Sequence, residues 1–458
     1  MKSYDLIVLG GGGASALARR AGKAGMKTAL LDPGPLGGTC PNRGCIPSKL
    51  LLQHATLAQS LRRAGRFHIA ARVGKIDTRK ILAGMRATIG GTHAAIRRSL
   101  GRNVRHVPHA GEFEDARTIR AGGERIAAKR IVIATGTRPS RPRGIDAPYL
   151  VSDDLFLLEK APRSLILVGG GFISCEFAHF FSGVGTRVTV LERGPELLAH
   201  EDLDVRRAFA KAFEPRIDLR RETRVERVSF AQGRLRVDLA GGGRGTVTAD
   251  ALAYAIGRVP NSDTLHLDRA GVATDERGYV KVNHYLETNV PGIWACGDAN
   301  GRDLFTHAAT VQVEYLGDRL VERSPRRPLD RGPMPHAVFT DPEIGSVGAT
   351  EDELLARGAR YLKSVVAYGD VPKGTALKEE HGLAKLLAGP RGEILGFHVV
   401  GPEASILLHQ VVPVMRWRNH VSSLTGAITV HPSLNELVAA TAWEVLEQLP
   451  ESARRGPR

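Results

Sequence analysis

The chain writes one local pattern twice. Tyr4-Asp-Leu-Ile-Val-Leu-Gly10 is an apolar run of strand length, and Gly10-Gly-Gly12-Gly-Ala-Ser15 breaks it with glycines. Ala16 to Gly25 then has helical character, and Met26 to Asp32 is a second apolar run ending in an acid. Far downstream, Ser164-Leu-Ile-Leu-Val-Gly169-Gly-Gly171-Phe172-Ile173-Ser174 feeds a helical stretch, Cys175 to Gly183, and a strand, Arg187 to Glu192. Strand, glycine turn, helix and strand in that order make a βαβ unit whose helix N-terminus receives a pyrophosphate. Gly10 and Gly169 allow the tight turn, Gly12 and Gly171 let the backbone approach the phosphates, and Asp32 and Glu192 stand where an acid holds a ribose diol. Ser15 and Ser174 replace the third glycine, a small-residue departure that loosens helix packing slightly. Two such sites imply an α/β fold with two Rossmann-like domains and two bound dinucleotides. Glu192 selects NAD, because a carboxylate repels a 2′-phosphate, while the neighbouring guanidinium of Arg193 keeps NADP as the alternative.

Two of the four cysteines lie just after the first fingerprint, in Gly37-Gly-Thr39-Cys40-Pro-Asn-Arg-Gly-Cys45-Ile-Pro-Ser-Lys49. Pro41 and Gly44 shape a tight turn, and a helix starting near Cys40 would place residues four or five apart on neighbouring turns, close enough to bridge. Lys49, one helical turn beyond Cys45, supplies a cation that favours a thiolate. So few cysteines in 458 residues do not staple a secreted scaffold, and the pair reads as redox-active. Cys175 and Cys296 sit in buried strand-to-helix or strand-to-turn contexts where a small apolar residue would serve as well.

These motifs, with Ile133-Ala-Thr135-Gly136, Ala255-Ile-Gly257-Arg-Val-Pro-Asn261, Trp294-Ala-Cys-Gly-Asp298, Phe339-Thr-Asp-Pro-Glu-Ile-Gly-Ser-Val-Gly348 and His431-Pro-Ser-Leu-Asn-Glu436, occur in an order that resembles the class I pyridine nucleotide-disulfide oxidoreductases over nearly the whole length. The resemblance implies FAD in the first site and NAD in the second, with a C-terminal α+β dimerisation domain. It assigns Gly10, Gly12, Ser15, Asp32, Thr39, Lys49, Thr135, Gly136, Asp298 and Thr306 to FAD. Gly169, Gly171, Phe172, Ile173, Ser174, Glu192 and Gly257 go to NAD, and no metal is implied. Cys40 would meet the substrate, Cys45 would lie by the flavin as the charge-transfer thiolate, and Lys49 and Glu176 would pair beside the flavin N5. His431 would be the acid-base group, oriented by Glu436, since thiol-disulfide exchange needs a proton acceptor of ordinary histidine pKa. In the family this histidine serves the other subunit's disulfide, so a homodimer is implied.

Dihydrolipoamide dehydrogenase is the nearest pattern, with a small dithiol or a lipoyl carrier domain as partner. A glutathione-, mycothiol- or mercuric-reductase-like activity on a small disulfide is the alternative. No vicinal cysteine pair follows His431, against the mercuric reductases, and Glu192 speaks against the NADPH-dependent glutathione reductases. Pro41 and Arg43 depart from the apolar residues common in dihydrolipoamide dehydrogenases and put a cation at the lip of the cysteine pair.

No segment is apolar enough for a bilayer span, and Met1-Lys-Ser runs straight into a strand, so a cytoplasmic protein is expected. The formal charge of +16, with Arg62-Arg63, Arg97-Arg98 and Arg206-Arg207, lacks a nucleic-acid-binding module and reads as a solvated basic surface. Domain boundaries are expected at 1–150 (FAD, first part), 151–271 (NAD), 272–333 (FAD and central, second part) and 334–450 (dimerisation). A helix is expected at Gln312 to Arg323 and a disordered tail at 451–458.

Overall fold

The computed structural model describes residues 1–456. It forms two compact units: Met1–Leu50, Lys80–Arg141 and Gly257–Arg331 make the first, and Leu51–Arg79, Pro142–Ile256 and the chain from Gly332 onward make the second.

In the first unit the all-apolar strand Leu6–Leu9 is buried along its whole length. It lies between Thr28–Leu31 and Ile131–Ile133, and Val104–Val107 and Ile293–Ala295 extend the sheet on either side, every pair parallel. Strands covered on both faces read as unbroken apolar runs rather than alternating ones. Leu6 and Val8 pack against Leu17, Ala18 and Ala21 of helix Ser15–Lys23. Ile7 and Leu9 face the other way, onto Phe113, Ile119 and Ile126 of a second sheet.

The second unit repeats the motif with parallel strands Leu150–Val151, Ala251–Tyr254, Ser164–Val168, Arg187–Leu191 and Asp218–Arg220. Its C-terminal part is an antiparallel sheet of Pro335–Val338, Glu343–Gly348, Ile394–Gly401, Leu383–Ala388 and Leu362–Ala367. Leu386, Phe397 and Val399 from this sheet form one core with Leu407 and Val411 of helix Ala404–Trp417 and Leu437 and Val445 of helix Asn435–Gln448.

Several expectations shift. The helix expected at Gln312 to Arg323 runs Thr306–Leu320, because its buried stripe begins at Ala308. Glu451–Ala453 forms a 3₁₀ turn, and Arg454 Nε donates to the Leu449 carbonyl at 3.0 Å, where disorder was expected; Pro457 and Arg458 lie outside the described residues. Arg206 is no solvated charge: its side chain is 13% exposed and pairs with Glu196 at 2.8 Å and Asp352 at 3.2 Å. No helix among the described residues is long and apolar enough to cross a membrane.

Candidate active site

Gly10 leaves its strand with φ +111°, and a Cβ there would overlap the Ala134 carbonyl. Gly12 and Gly38 face each other, so that a Cβ on Gly38, at φ +66°, would lie 2.8 Å from the Gly12 Cα. A Cβ on Gly13 would meet nothing within 4 Å, so the turn opens onto space just before helix Ser15–Lys23. The carboxylate of Asp32 accepts the Gly11 N–H at 2.5 Å and the Gly34 N–H at 2.7 Å. Those two bonds leave lone pairs for further donors such as ribose hydroxyls. Nearby, Asn261 Nδ2 donates to the Thr135 carbonyl at 2.8 Å and the Asn261 N–H to the Gly136 carbonyl at 3.1 Å, fixing the Ala-Thr-Gly turn. The Thr135 hydroxyl is buried with no partner among the described residues. Asp298 accepts from the Thr137 hydroxyl at 2.9 Å, and that oxygen accepts from Arg258 Nε at 2.8 Å. Burial pushes the Asp298 carboxyl above its ordinary range. A glycine-lined opening, an acid at the second strand's end and an unused buried hydroxyl fit FAD.

The cysteines do not share one helix, as the spacing suggested. Thr39–Arg43, with Cys40 in its first turn, ends at Gly44, and a second helix, Cys45–Arg63, begins at Cys45. A Cβ on Gly44 would sit 3.0 Å from the Thr39 carbonyl oxygen, so glycine gives the break its room. Asn42, whose role spacing alone did not reveal, donates from Nδ2 to the carbonyls of Pro35, Leu36 and Gly38 at 3.3, 3.2 and 2.8 Å. Cys45 Sγ lies 3.4 Å from the hydroxyl of Thr306, the first residue of its helix. The Cys45 thiol is held down to about 6, chiefly by the Cys40 S–H donating to its sulfur, with Thr306 and the Lys49 charge adding to the effect against burial. The same bond, with burial, pushes Cys40 up. One thiolate beside one thiol is the result. Cys175 and Cys296 are buried, and burial raises both thiols, Cys296 to about 12.

In the second unit Gly169 turns at φ +108°, and a Cβ there would lie 2.5 Å from the Ala255 carbonyl oxygen, whereas a Cβ on Gly171 would meet open space. Glu192 accepts from the Gly170 and Gly194 N–H groups at 2.5 and 2.6 Å. Phe172 starts helix Phe172–Gly183 and is exposed, Ile173 is half-buried, and Ser174 has a buried hydroxyl with no partner among the described residues. These groups fit NAD. Gly257, also assigned to NAD, belongs to the first unit. Glu176, buried on the same helix, accepts the Phe339 N–H at 3.1 Å.

His431 is largely exposed, and its Nδ1 lies 2.7 Å from Glu436, which also accepts the Ser433 N–H at 2.9 Å. These bonds, the histidine's first, hold the Glu436 carboxyl below its ordinary range. A carboxylate acceptor puts the proton on Nδ1 and leaves Nε2 facing outward as a base.

A sequence profile described as pyridine nucleotide-disulphide oxidoreductase matches residues 4–313, and the dimerisation domain of the same family matches residues 334–442. The chain is 32% identical over 456 residues to mycothione reductase of Mycobacterium tuberculosis, covering 96% of this chain and 98% of that one. It is 32% identical over 454 residues to dihydrolipoyl dehydrogenase of Bacillus subtilis, covering 94% and 96%. Among solved structures, the HOCl-induced flavoprotein disulfide reductase RclA from Escherichia coli is similar with a TM-score of 0.86 and 27% identity, covering 96% of this chain and 100% of that one. The fold and these matches define a flavoprotein disulfide oxidoreductase. The chain belongs to the pyridine nucleotide-disulphide oxidoreductase family, whose members use FAD and NAD(P)H.

Proposed function

We propose that the chain passes two electrons from a dihydrolipoyl group to NAD through Cys40 and Cys45, as a homodimer in the cytoplasm. The observation that carries this reading is the opposite polarisation of the two sulfurs. In disulfide exchange the sulfur of lower pKa leaves faster, so attack falls on Cys40 and Cys45 departs as a thiolate. A substrate thiolate attacks Cys40, the Cys40–Cys45 bond breaks and a mixed disulfide forms. The second substrate thiol gives its proton to His431 Nε2 of the partner copy and attacks the substrate sulfur of the mixed disulfide. Cys40 leaves, takes the proton back from His431, and the substrate departs as a cyclic disulfide. Glu436 stabilises the imidazolium between these transfers. When bound, FAD would supply the relay that carries the two electrons of the cysteine pair, with the Cys40 proton, to NAD to give NADH; the one proton released overall is the one the first substrate thiol loses on becoming a thiolate. The family resemblance assigns Lys49 and Glu176 to that relay, and the Thr306 hydroxyl lies against Cys45.

A second reading, NAD(P)H-dependent reduction of a small acidic disulfide, is favoured by Arg43, two residues before Cys45, and by the similarity to mycothione reductase. Anaerobic reduction of NAD by dihydrolipoamide, run beside NADP, separates the two. Fast turnover confined to NAD supports the first reading. No turnover in protein whose flavin NADH still bleaches rejects it in favour of the second. In the reduced protein, thiolate absorbance should appear with a midpoint near about 6, because a lowered pKa keeps the thiolate above that pH and loses it below. Cys40→Ala should move the midpoint upward by removing the largest cause. A wild-type midpoint at the ordinary thiol value would reject the polarised pair.

A further inference from the structure

Helix Phe172–Gly183 carries a buried imidazole one turn beyond Glu176. His179 is 0% exposed, and both its ring nitrogens are engaged. Nδ1 lies 3.4 Å from Arg216 Nη1 and Nε2 lies 3.1 Å from the Thr56 hydroxyl. A guanidinium only donates, so Nδ1 accepts and the proton sits on Nε2, which donates to Thr56. Burial and the charges of Arg216 and Arg63 press the imidazole down to about 3, which keeps it neutral.

The partners close a circuit within the second unit. Arg216 is stacked over Phe213 with its guanidinium carbon 4.6 Å from the ring centroid, and its Nη2 donates to the Asp341 carbonyl. The Asp341 carboxylate is 2.5 Å from Arg63 Nη2. Thr56 and Arg63 both lie on helix Cys45–Arg63. Phe339, two residues before Asp341, supplies the N–H that holds Glu176. The helices also approach closely at Gly183, where a Cβ would lie 2.6 Å from the Ala55 Cβ. A surface ion pair would explain none of this, because His179 and Arg216 are desolvated groups whose cost is offset only by the bonds they make.

We propose that His179 is a positioning residue for electron transfer from or to the pyridine nucleotide. Its two hydrogen bonds fix the rotation and depth of the helix bearing Glu176 against the stretch around Ala55 and Thr56 in the same unit. This inference rests on the assignment of Glu176 to the flavin edge. A neutral bridge gives a further expectation: no ionisation between pH 5 and 9 belongs to it.

The test is His179→Phe, which keeps a flat ring and removes both bonds, with His179→Gln restoring a donor and an acceptor. In anaerobic rapid mixing, His179→Phe should slow bleaching of the flavin by NADH at least about fivefold, since small displacements weaken reactions that depend on alignment. Bleaching by dithiol should stay within about twofold, and His179→Gln should recover most of the loss. Thr56→Val, which deletes one hydroxyl, should show a smaller loss of the same kind if His179→Phe does not fold. Wild-type NADH rates in His179→Phe, or in Thr56→Val where it stands in, would overturn the proposal. So would equal slowing of both half-reactions. Amide exchange gives a readout independent of turnover: His179→Phe, or Thr56→Val in its place, should exchange faster across residues 172–183, and unchanged protection there would overturn the circuit. Wild-type flavin that NADH cannot bleach would instead defeat the functional reading, leaving the circuit to be judged by exchange alone.

Discussion

The two glycine-turn motifs are built alike and differ in what their helices bury. Both turns use a left-handed glycine, Gly10 at φ +111° and Gly169 at φ +108°. Each second strand ends in a carboxylate that caps two backbone N–H groups, Asp32 on Gly11 and Gly34, Glu192 on Gly170 and Gly194. Seven residues past the turn glycine they part: Leu17 lies in the apolar core of the first unit, and a buried carboxylate, Glu176, occupies that place in the second. Three residues later, Arg20 makes surface pairs with Asp318 and Glu322, whereas His179 is wholly buried. The shared parts form a nucleotide scaffold that tolerates little change. A buried acid and a buried imidazole are costly additions to it, and such groups persist where they serve chemistry or its alignment.

Exchanging the divergent residues tests this most severely. Leu17→Glu places a carboxylate among Leu6, Val8 and Ala21 without a partner and should cost roughly 3–5 kcal/mol, enough to unfold much of a domain of ordinary stability. Glu176→Leu in the second helix leaves the Phe339 N–H without its acceptor and should cost at most about 1–3 kcal/mol, less than Leu17→Glu. Its flavin should be bleached by NADH at least about tenfold more slowly. A Glu176→Leu variant that keeps the wild-type NADH rate but loses as much stability as Leu17→Glu would make Glu176 structural and the comparison void.

The glycines give the next largest contrast. Gly38 has φ +66° and a Cβ there would press on Gly12, so Gly38→Ala should yield protein depleted in flavin, read from the visible-to-ultraviolet absorbance ratio. Gly171 has φ −78° and open space beside it, so Gly171→Ala should fold with unchanged stability and raise the KM for NADH several-fold. Equal flavin loss from both variants would mean that the second glycine loop supports the fold rather than a ligand.

This contrast marks what the sequence made legible. Strand, glycine turn, helix and terminal acid announce themselves at both sites because each element depends on residues adjacent in the chain. Cys40 against Cys45 and His431 against Glu436 are pairs that the structure brings together from short motifs, for the same reason. The helix break at Gly44 was missed, since a five-residue spacing suits one continuous helix as well as two meeting at a glycine. Thr306 against Cys45, Asn261 against Thr135, and the Thr56–His179–Arg216–Asp341 chain join residues more than a hundred positions apart or from separate elements, and no local pattern encodes such partners. Arg206 misled because an Arg-Arg pair looks alike in sequence whether its acids stand nearby or not.

The finest comparison concerns two hydroxyls. Thr135 and Ser174 each bury an oxygen with no partner among the described residues, one beside each nucleotide turn. An unmatched buried hydroxyl is destabilising, so removing it should leave the nucleotide-free protein as stable or up to about 1 kcal/mol more stable. If the hydroxyl is reserved for a ligand, the same removal weakens that ligand by about 1 kcal/mol, roughly fivefold. Thr135→Val should therefore raise the dissociation constant for FAD without changing the KM for NADH, and Ser174→Ala should do the reverse. Ser174 stands where a third glycine would allow closest helix packing, so it also has a plain packing explanation. Ser174→Ala with unchanged KM and a raised thermal midpoint would select that explanation, and would leave Thr135 as the only one of the two hydroxyls committed to a cofactor.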